Sequence, residues 1–496
     1  MKPLSRSFAA LFFCVSFAAF AQTTGSTSLD PASQKVMDEA RKPSSMQENL
    51  RQLTDEIGGR VPGTPAMAKG IEWGVEKFKA AGADSVHVEK YTISHSWAEG
   101  DTRLTVVSPG PFQVRAVSSG WGAALAPTKN AGVVDVGTGK PEDFAKAGNF
   151  SGKLLLVHTD VLQTWEDLFN EYLNAPPILA AAIKGHALAV AFMATREHDL
   201  LYRHTNAPPG ELDKIPQLVI AREDGERMAR LLAAGKTVTA DLQIPNKIGG
   251  AFEESNVVAE IRGSEKPDEF VVLGAHLDSW ELGTGALDNG CNSALVVDAL
   301  RAIHDSGVRP KRSIRFILFT GEEEGLLGSW EYVKAHRKEM EKAIAAVIFD
   351  SGTGHVTGFT LGGRKDLVAV AQSLVAPFHA LGADTLTNNA DAGTDNVDFL
   401  LEGVPTFVAN QDEANYLINY HAESDTFDKV DFPNLKQHAV EAAVLSFELA
   451  DRAERLGPRL HRAEIEQSLR ETGLDNEMRM FGIWPYWERK ERGRVD

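Results

Sequence analysis

Cysteine is nearly absent from this chain: 496 residues carry only Cys14 and Cys291. Cys14 falls in an N-terminal segment read below as removable. The mature chain then keeps one thiol and can form no internal disulfide, which excludes a stapled scaffold. Positive charge is also in short supply, with 51 Lys and Arg against 69 Asp and Glu and a formal net charge of −18. Without a basic stripe, a nucleic-acid partner is excluded. Long apolar runs are missing too, apart from "FAALFFCVSFAAFA" near the start, which is too short for a comfortable membrane span. Lys2 and Arg6 precede it, and Ala19-Phe20-Ala21 close it. This is the pattern of a secretory signal cleaved near Ala21, so the protein is expected to be secreted or periplasmic. Internal repeats and low-complexity tracts are lacking as well. A chain of this size without staples must rely on core burial, helped by a metal where one is bound.

What remains is ordinary globular material, 43% hydrophobic and 24% charged, long enough for two or three domains. Residues 22–45, polar and rich in small side chains, are expected to form a mobile leader. Helical patterns begin at Met46 and Ala66, and a strand pattern at Val86. From 109 to 250 short β-rich runs such as "AGVVDV" and "GKLLLVHTD" are broken by Gly, Pro and Asn. This stretch reads as an inserted domain. Its "SGKLLLVHTD", "AAAIKGHALAVAFM" and "IPQLVIAREDGERMARLLAAG" resemble the protease-associated module. The segments 46–108 and 251–456 are expected to form one catalytic domain, followed by a charged tail, 457–496, with an aromatic "WPYW" that reads as a packed or dimer-contact patch.

In the second catalytic segment "EFVVLGA", "SIRFILFT", "AIAAVIFD" and "VPTFVAN" are near-continuous apolar runs, which suit strands buried on both faces of a parallel sheet. Helical patterns separate them, so the expected class is α/β, a mostly parallel sheet flanked by helices. His276 follows the first run, Glu322 and Glu323 the second, Asp350 ends the third, and His421 lies beyond the fourth. Sites in such sheets form outside the carboxyl ends of the strands. A solvated acidic loop is the plainer reading of any one of these acids, but it does not account for every run ending in a metal-ligand type. Imidazole and carboxylate together suit zinc, and a two-metal site needs a bridging carboxylate. Asp288, on the glycine-flanked turn in "GTGALDNG", is the natural bridge. Asp278, two residues from His276, is placed to orient that imidazole.

His-x-Asp-Ser, Gly-x-Gly-Ala-x-Asp-Asn-Gly and Glu-Glu-x-Gly-Leu-x-Gly-Ser together resemble the dinuclear zinc peptidase family of secreted aminopeptidases, glutamate carboxypeptidases and transferrin receptors. The resemblance implies a phosphorylase/hydrolase-like fold and two Zn2+ ions. One would sit on His276 and Asp350, the other on Glu323 and His421, with Asp288 shared. It also implies Glu322 as the general base and a homodimer, with a peptide as substrate. The wording of "HLDSW" and "GTGALDNG" favours carboxypeptidase or dipeptidase action; the alternative in the same family is an aminopeptidase. A carboxypeptidase wants a cation beside the metals, for which Arg364 and Lys365 are candidates. A receptor that has lost its metals is the alternative of another class, and such a chain should show broken ligands. Glu324 is expected to face solvent, Glu281 to lie at the surface or substrate rim, and Cys291 to pack. His304, His336 and His438 read as structural or exposed. Asp395 is either a substrate contact or a helix cap.

Overall fold

The computed structural model describes residues 29–496. The expected signal and the first part of the leader lie outside the described residues. The four apolar runs become strands Arg312–Phe319, Lys266–His276, Ala343–Ile348 and Thr406–Gln411, adjacent and parallel in that order at the centre of an eight-stranded sheet. Leu273 sits opposite both Phe316 and Val347, so the carboxyl ends fall along one edge. Phe252–Ile261 and Ser85–Ile93 extend the sheet on one side through antiparallel pairs; on the other, Val356–Thr360 pairs antiparallel with Thr406–Gln411, and Thr385–Thr387 pairs parallel with Val356–Thr360. Helices Cys291–Asp305 and Phe432–Asp451 cover one face, and almost every residue of the central runs is buried, which is why those runs do not alternate.

The chain leaves this sheet after Ile93 and returns at Phe252, and these two residues pair. Between them lies a second eight-stranded sheet with its own core. Leu125–Asp135, Leu154–Val157, Ala189–Met193 and Gln217–Ile220 run parallel within it. The insert begins earlier than residue 109. Arg103–Ser108 already pairs with Thr239–Ile244 in the second sheet, so those residues do not belong to the catalytic domain.

The leader and the tail both differ from expectation. Pro31–Ala40 is a helix capped by the Asp30 side chain, and it buries Ser33, Val36, Met37 and Ala40 against the two covering helices. That stripe has helical spacing, and its small residues disguised it as a leader. Likewise 457–496 is not a loose appendage. It forms helices Arg462–Thr472, Leu474–Met480 and Trp484–Glu488, and buries Ile465, Leu469, Trp484 and Trp487. The aromatic cluster is thus internal packing.

Candidate metal centre

Strand Lys266–His276 delivers His276 to the carboxyl edge of the sheet, fully buried. Its Nδ1 lies 3.1 Å from the main-chain oxygen of Asp278, and a carbonyl can only accept, so Nδ1 carries the proton and Nε2 faces the site. Nε2 is 3.2 Å from Asp288 Oδ1 and 3.6 Å from Asp350 Oδ2. On the other side of Asp288, His421 Nε2 is 3.2 Å from Oδ2 and 2.8 Å from Glu323 Oε2. Asp288 therefore stands between two histidines, one accompanied by Asp350 and the other by Glu323. Asp278 supports both halves: its Oδ1 is 3.7 Å from His276 Nδ1, and its Oδ2 accepts the main-chain N–H of Glu323 at 3.2 Å.

The turn Ala286–Gly290 that presents Asp288 is held from below by two residues the sequence did not single out. Asp425, buried, accepts main-chain N–H groups of Ala286, Leu287 and Asp288 at 3.1, 2.7 and 3.1 Å. Arg60, also buried, donates to the carbonyls of Leu277, Thr284 and Gly285 at 2.6, 2.9 and 2.9 Å. Asp425 stands four residues from His421 in "NYHAESDT", a faint local signal; Arg60 is far away in sequence and gave none. Gly283 lets this loop lie against its neighbour, since a Cβ there would come within 2.6 Å of the Ala422 carbonyl oxygen.

The electrostatics are those of an acid-rich pocket short of cations. Burial, with Asp288 adding to it, pushes the Glu323 carboxyl up to about 7 despite His421 nearby. Burial likewise raises Asp395 to about 8, against the pull of His276. Burial alone would lower His421, but Glu323 and Asp288 overcome it and hold the imidazole at about 9. Glu322 is raised above the carboxylate range by burial and by Asp350 and Glu323. Asp288 Oδ2, Glu323 Oε1 and Asp278 Oδ1 are buried without a hydrogen-bond partner. Donor atoms of His276, Asp288 and Glu323 all lie within 4.8 Å of one another. Convergent orphaned oxygens and imidazole nitrogens fit a divalent cation, and this donor set is that of zinc.

Of the other expectations, those for Glu324, Arg364 and Lys365 need correction. Glu324 is 3% exposed, not solvent-facing. The turn after the strand folds it inward, where burial raises its carboxyl beside Asp278, and its carbonyl accepts the N–H of Gly210 from the insert at 2.9 Å. Arg364 is buried against Asp366 and the Pro458 carbonyl, and Lys365 points outward near Glu471. Neither reaches the site. Glu281 is partly exposed and paired with Arg203 at 2.9 Å. Cys291 is buried and free; His304, His336 and His438 bond to Asp305, to Glu89 and Glu339, and to the Gly354 carbonyl. Asp395 is fully buried and its side chain makes no cap bond to the following helix.

A cavity of ≈ 340 Å³ opens over the donors, with Asp288, Glu322, Glu323, Asp350 and His421 at its floor. Its walls come from three parts of the chain. Trp165, Phe169 and Tyr172 stand on the insert's helix Trp165–Lys184, Tyr416 and Tyr420 on the catalytic domain, and Phe481 on the C-terminal segment. The Tyr172 and Tyr420 hydroxyls are 3.0 Å apart, and Phe481 meets the Tyr172 ring edge-on at 5.6 Å.

This fold, donor set and cavity define a zinc metallopeptidase. Residues 256–446 match the model described as peptidase family M28. The chain is similar to carboxypeptidase Q of Rattus norvegicus, 28% identical over 412 residues that cover 82% of this chain and 86% of the relative. It also matches the solved structure of a peptidase M28 precursor from Shewanella amazonensis SB2B at 26% identity and a TM-score of 0.78, over 86% of this chain and 98% of that one. A zinc aminopeptidase from Bacillus subtilis shares the fold, with a TM-score of 0.64 at 21% identity over 84% and 97% of the two chains.

Proposed function

We propose that the chain is a secreted or periplasmic exopeptidase that hydrolyses dipeptides or short peptides with two zinc ions. His276 and Asp350 would hold one, Glu323 and His421 the other, and Asp288 both. The observation that carries this reading is four of the five donors, Asp288, Glu323, Asp350 and His421, together with Glu322 on the floor of one roofed, aromatic-walled cavity, with His276 3.2 Å from Asp288. Such a space takes a short chain end and excludes a folded protein. Zinc, when bound, polarises the scissile carbonyl and makes water a stronger acid near neutral pH. The protein's own part is to position and to move a proton. Glu322, partly buried beside the donors, takes the proton of the attacking water and returns it to the leaving amine. Burial, with Asp350 and Glu323 nearby, raises its proton affinity. Asp278 holds His276 in the tautomer that turns Nε2 inward. The insert, read as a protease-associated domain, roofs the site, and by the same resemblance two copies form a dimer.

Similarity to carboxypeptidase Q supports a carboxypeptidase or dipeptidase. One observation favours the aminopeptidase reading instead: among the described residues no Lys or Arg lines the cavity, so a substrate carboxylate has no cationic side chain there to meet. Acids are abundant, and an ammonium group suits them.

The deciding experiment combines Glu322→Gln with end-blocked dipeptides. The variant should keep both zincs and lose roughly 10²–10⁴-fold in kcat. Full activity in the variant removes Glu322 from the reaction. Wild type that cleaves amino-blocked but not carboxyl-blocked dipeptides is a carboxypeptidase; the reverse pattern is an aminopeptidase, and refusal of both is a dipeptidase.

A further inference from the structure

His421 stands in the left-handed backbone region, with φ at 58°. A residue with a Cβ is strained there by about 1 kcal/mol or more, and such a conformation persists only where the surroundings over-determine it. Part of those surroundings belongs to the insert. The main-chain N–H of Arg203 donates to the His421 carbonyl at 3.0 Å, and the N–H of Glu423 donates back to Leu201 at 3.0 Å. Tyr202 and Ala422 thereby form an antiparallel bridge between the two domains. From the other side the Arg196 guanidinium donates to the carbonyls of Tyr420 at 3.1 Å and Leu417 at 3.4 Å.

Arg196 is itself fixed. Its side chain is 2% exposed, lies 3.5 Å from Glu171, donates to Thr195 Oγ1 at 2.7 Å, and stacks over the Tyr202 ring at 3.9 Å. A buried cation of this kind is retained only with its charge paired and its hydrogens directed. Glu171 supplies the charge, and the His421 loop supplies two of the acceptors. His276 differs, because it ends a strand of the catalytic sheet and touches no residue of the insert through these bonds.

We propose that the inserted domain braces the His421 half of the metal centre, and that Arg196, outside the segment matched by the family model, is a positioning residue for His421. This rests on the reading that Glu323 and His421 share one zinc. Loss of Arg196 frees the loop on one side, and the zinc held there weakens while the one on His276 and Asp350 does not.

The test measures zinc content of the full-length protein in stepped zinc buffers, for wild type, Arg196→Met, Arg196→Lys and His421→Ala. Arg196→Met is expected to bind one zinc as wild type does and the other about 10–100-fold more weakly, the usual effect of losing a group that orients a ligand. Circular dichroism and elution volume should be unchanged, and activity should return at high zinc. Arg196→Lys, which keeps the charge and loses the fork, should fall between. Two tight zincs in His421→Ala would sink the ligand assignment itself. One lost zinc in His421→Ala with wild-type affinity at both sites in Arg196→Met overturns the positioning role. If Arg196→Met does not fold, Arg196→Lys decides: weakened binding of one zinc supports the role, and unchanged binding overturns it.

Discussion

At the scale of single residues, burial decides which acids ionise. Glu441, on the helix Phe432–Asp451, is fully buried, accepts a hydrogen bond from Gln437 at 3.0 Å, and is pushed up to about 8 by its burial. An acid raised in the folded state stabilises at low pH. Between its unfolded value near 4.5 and about 8 the unfolded chain loses the proton first, so stability falls as pH rises, by up to roughly 1.4 kcal/mol per pH unit. Glu441→Gln removes that loss. Its melting temperature should match wild type near pH 5 and exceed it by several degrees at pH 8; equal melting at both would mean Glu441 ionises normally. The same residue scale shows what the sequence could and could not tell. The convergence of His276, Asp288, Glu323, Asp350 and His421 on one edge was legible because each follows, or lies a short loop beyond, a buried apolar run or a glycine turn. Glu324 was misread because nothing local tells an acid that faces Glu254 and Asp278 from one that faces water. Arg60 and Asp425 were silent for a similar reason: their partners lie far off in sequence, and an isolated Arg or Asp reads as surface.

At the scale of elements, the strands were legible from their apolar runs, whereas the helices at both ends were not. The C-terminal segment is tied to helix Asn396–Leu401 and to the turn after Glu323 by Arg492, which forms a buried bidentate pair with Asp398, both bonds 2.7 Å, and also donates to the carbonyl of Gly325 at 3.2 Å. Removing one partner of a buried pair leaves the other charge without compensation, at about 3–5 kcal/mol. Arg492→Met should therefore unfold at markedly lower denaturant than wild type. Arg492→Met combined with Asp398→Leu should recover part of that loss, because no orphaned charge remains. A double variant as weak as or weaker than the single one would show that the pair is not what holds the segment. This segment reads as a charged tail because its binding residues are charged; their partners are buried in another element.

At the scale of the whole molecule, the metal centre is a stability element. Between pH 5 and 8 the metal-free site works against folding as pH rises: Glu323, raised by burial to about 7, loses its proton, and His421, raised to about 9 mainly by Glu323, begins to lose its charge. Zinc takes deprotonated ligands and competes with protons, so it binds better in the same direction. The gap in melting temperature between zinc-loaded and chelated protein is therefore expected to widen from pH 5.5 to pH 8. A gap that stays constant would separate the site from stability.

The pairing of Ile93 with Phe252 carries a last consequence, this time for how the chain reaches its shape. Drawing those two residues together through a flexible chain as long as the insert costs on the order of 4 kcal/mol of chain entropy. A folded insert removes most of that cost, because Arg103 and Gln243, near its two ends, already lie side by side. The sheet edge thus closes most readily onto an insert that has formed first.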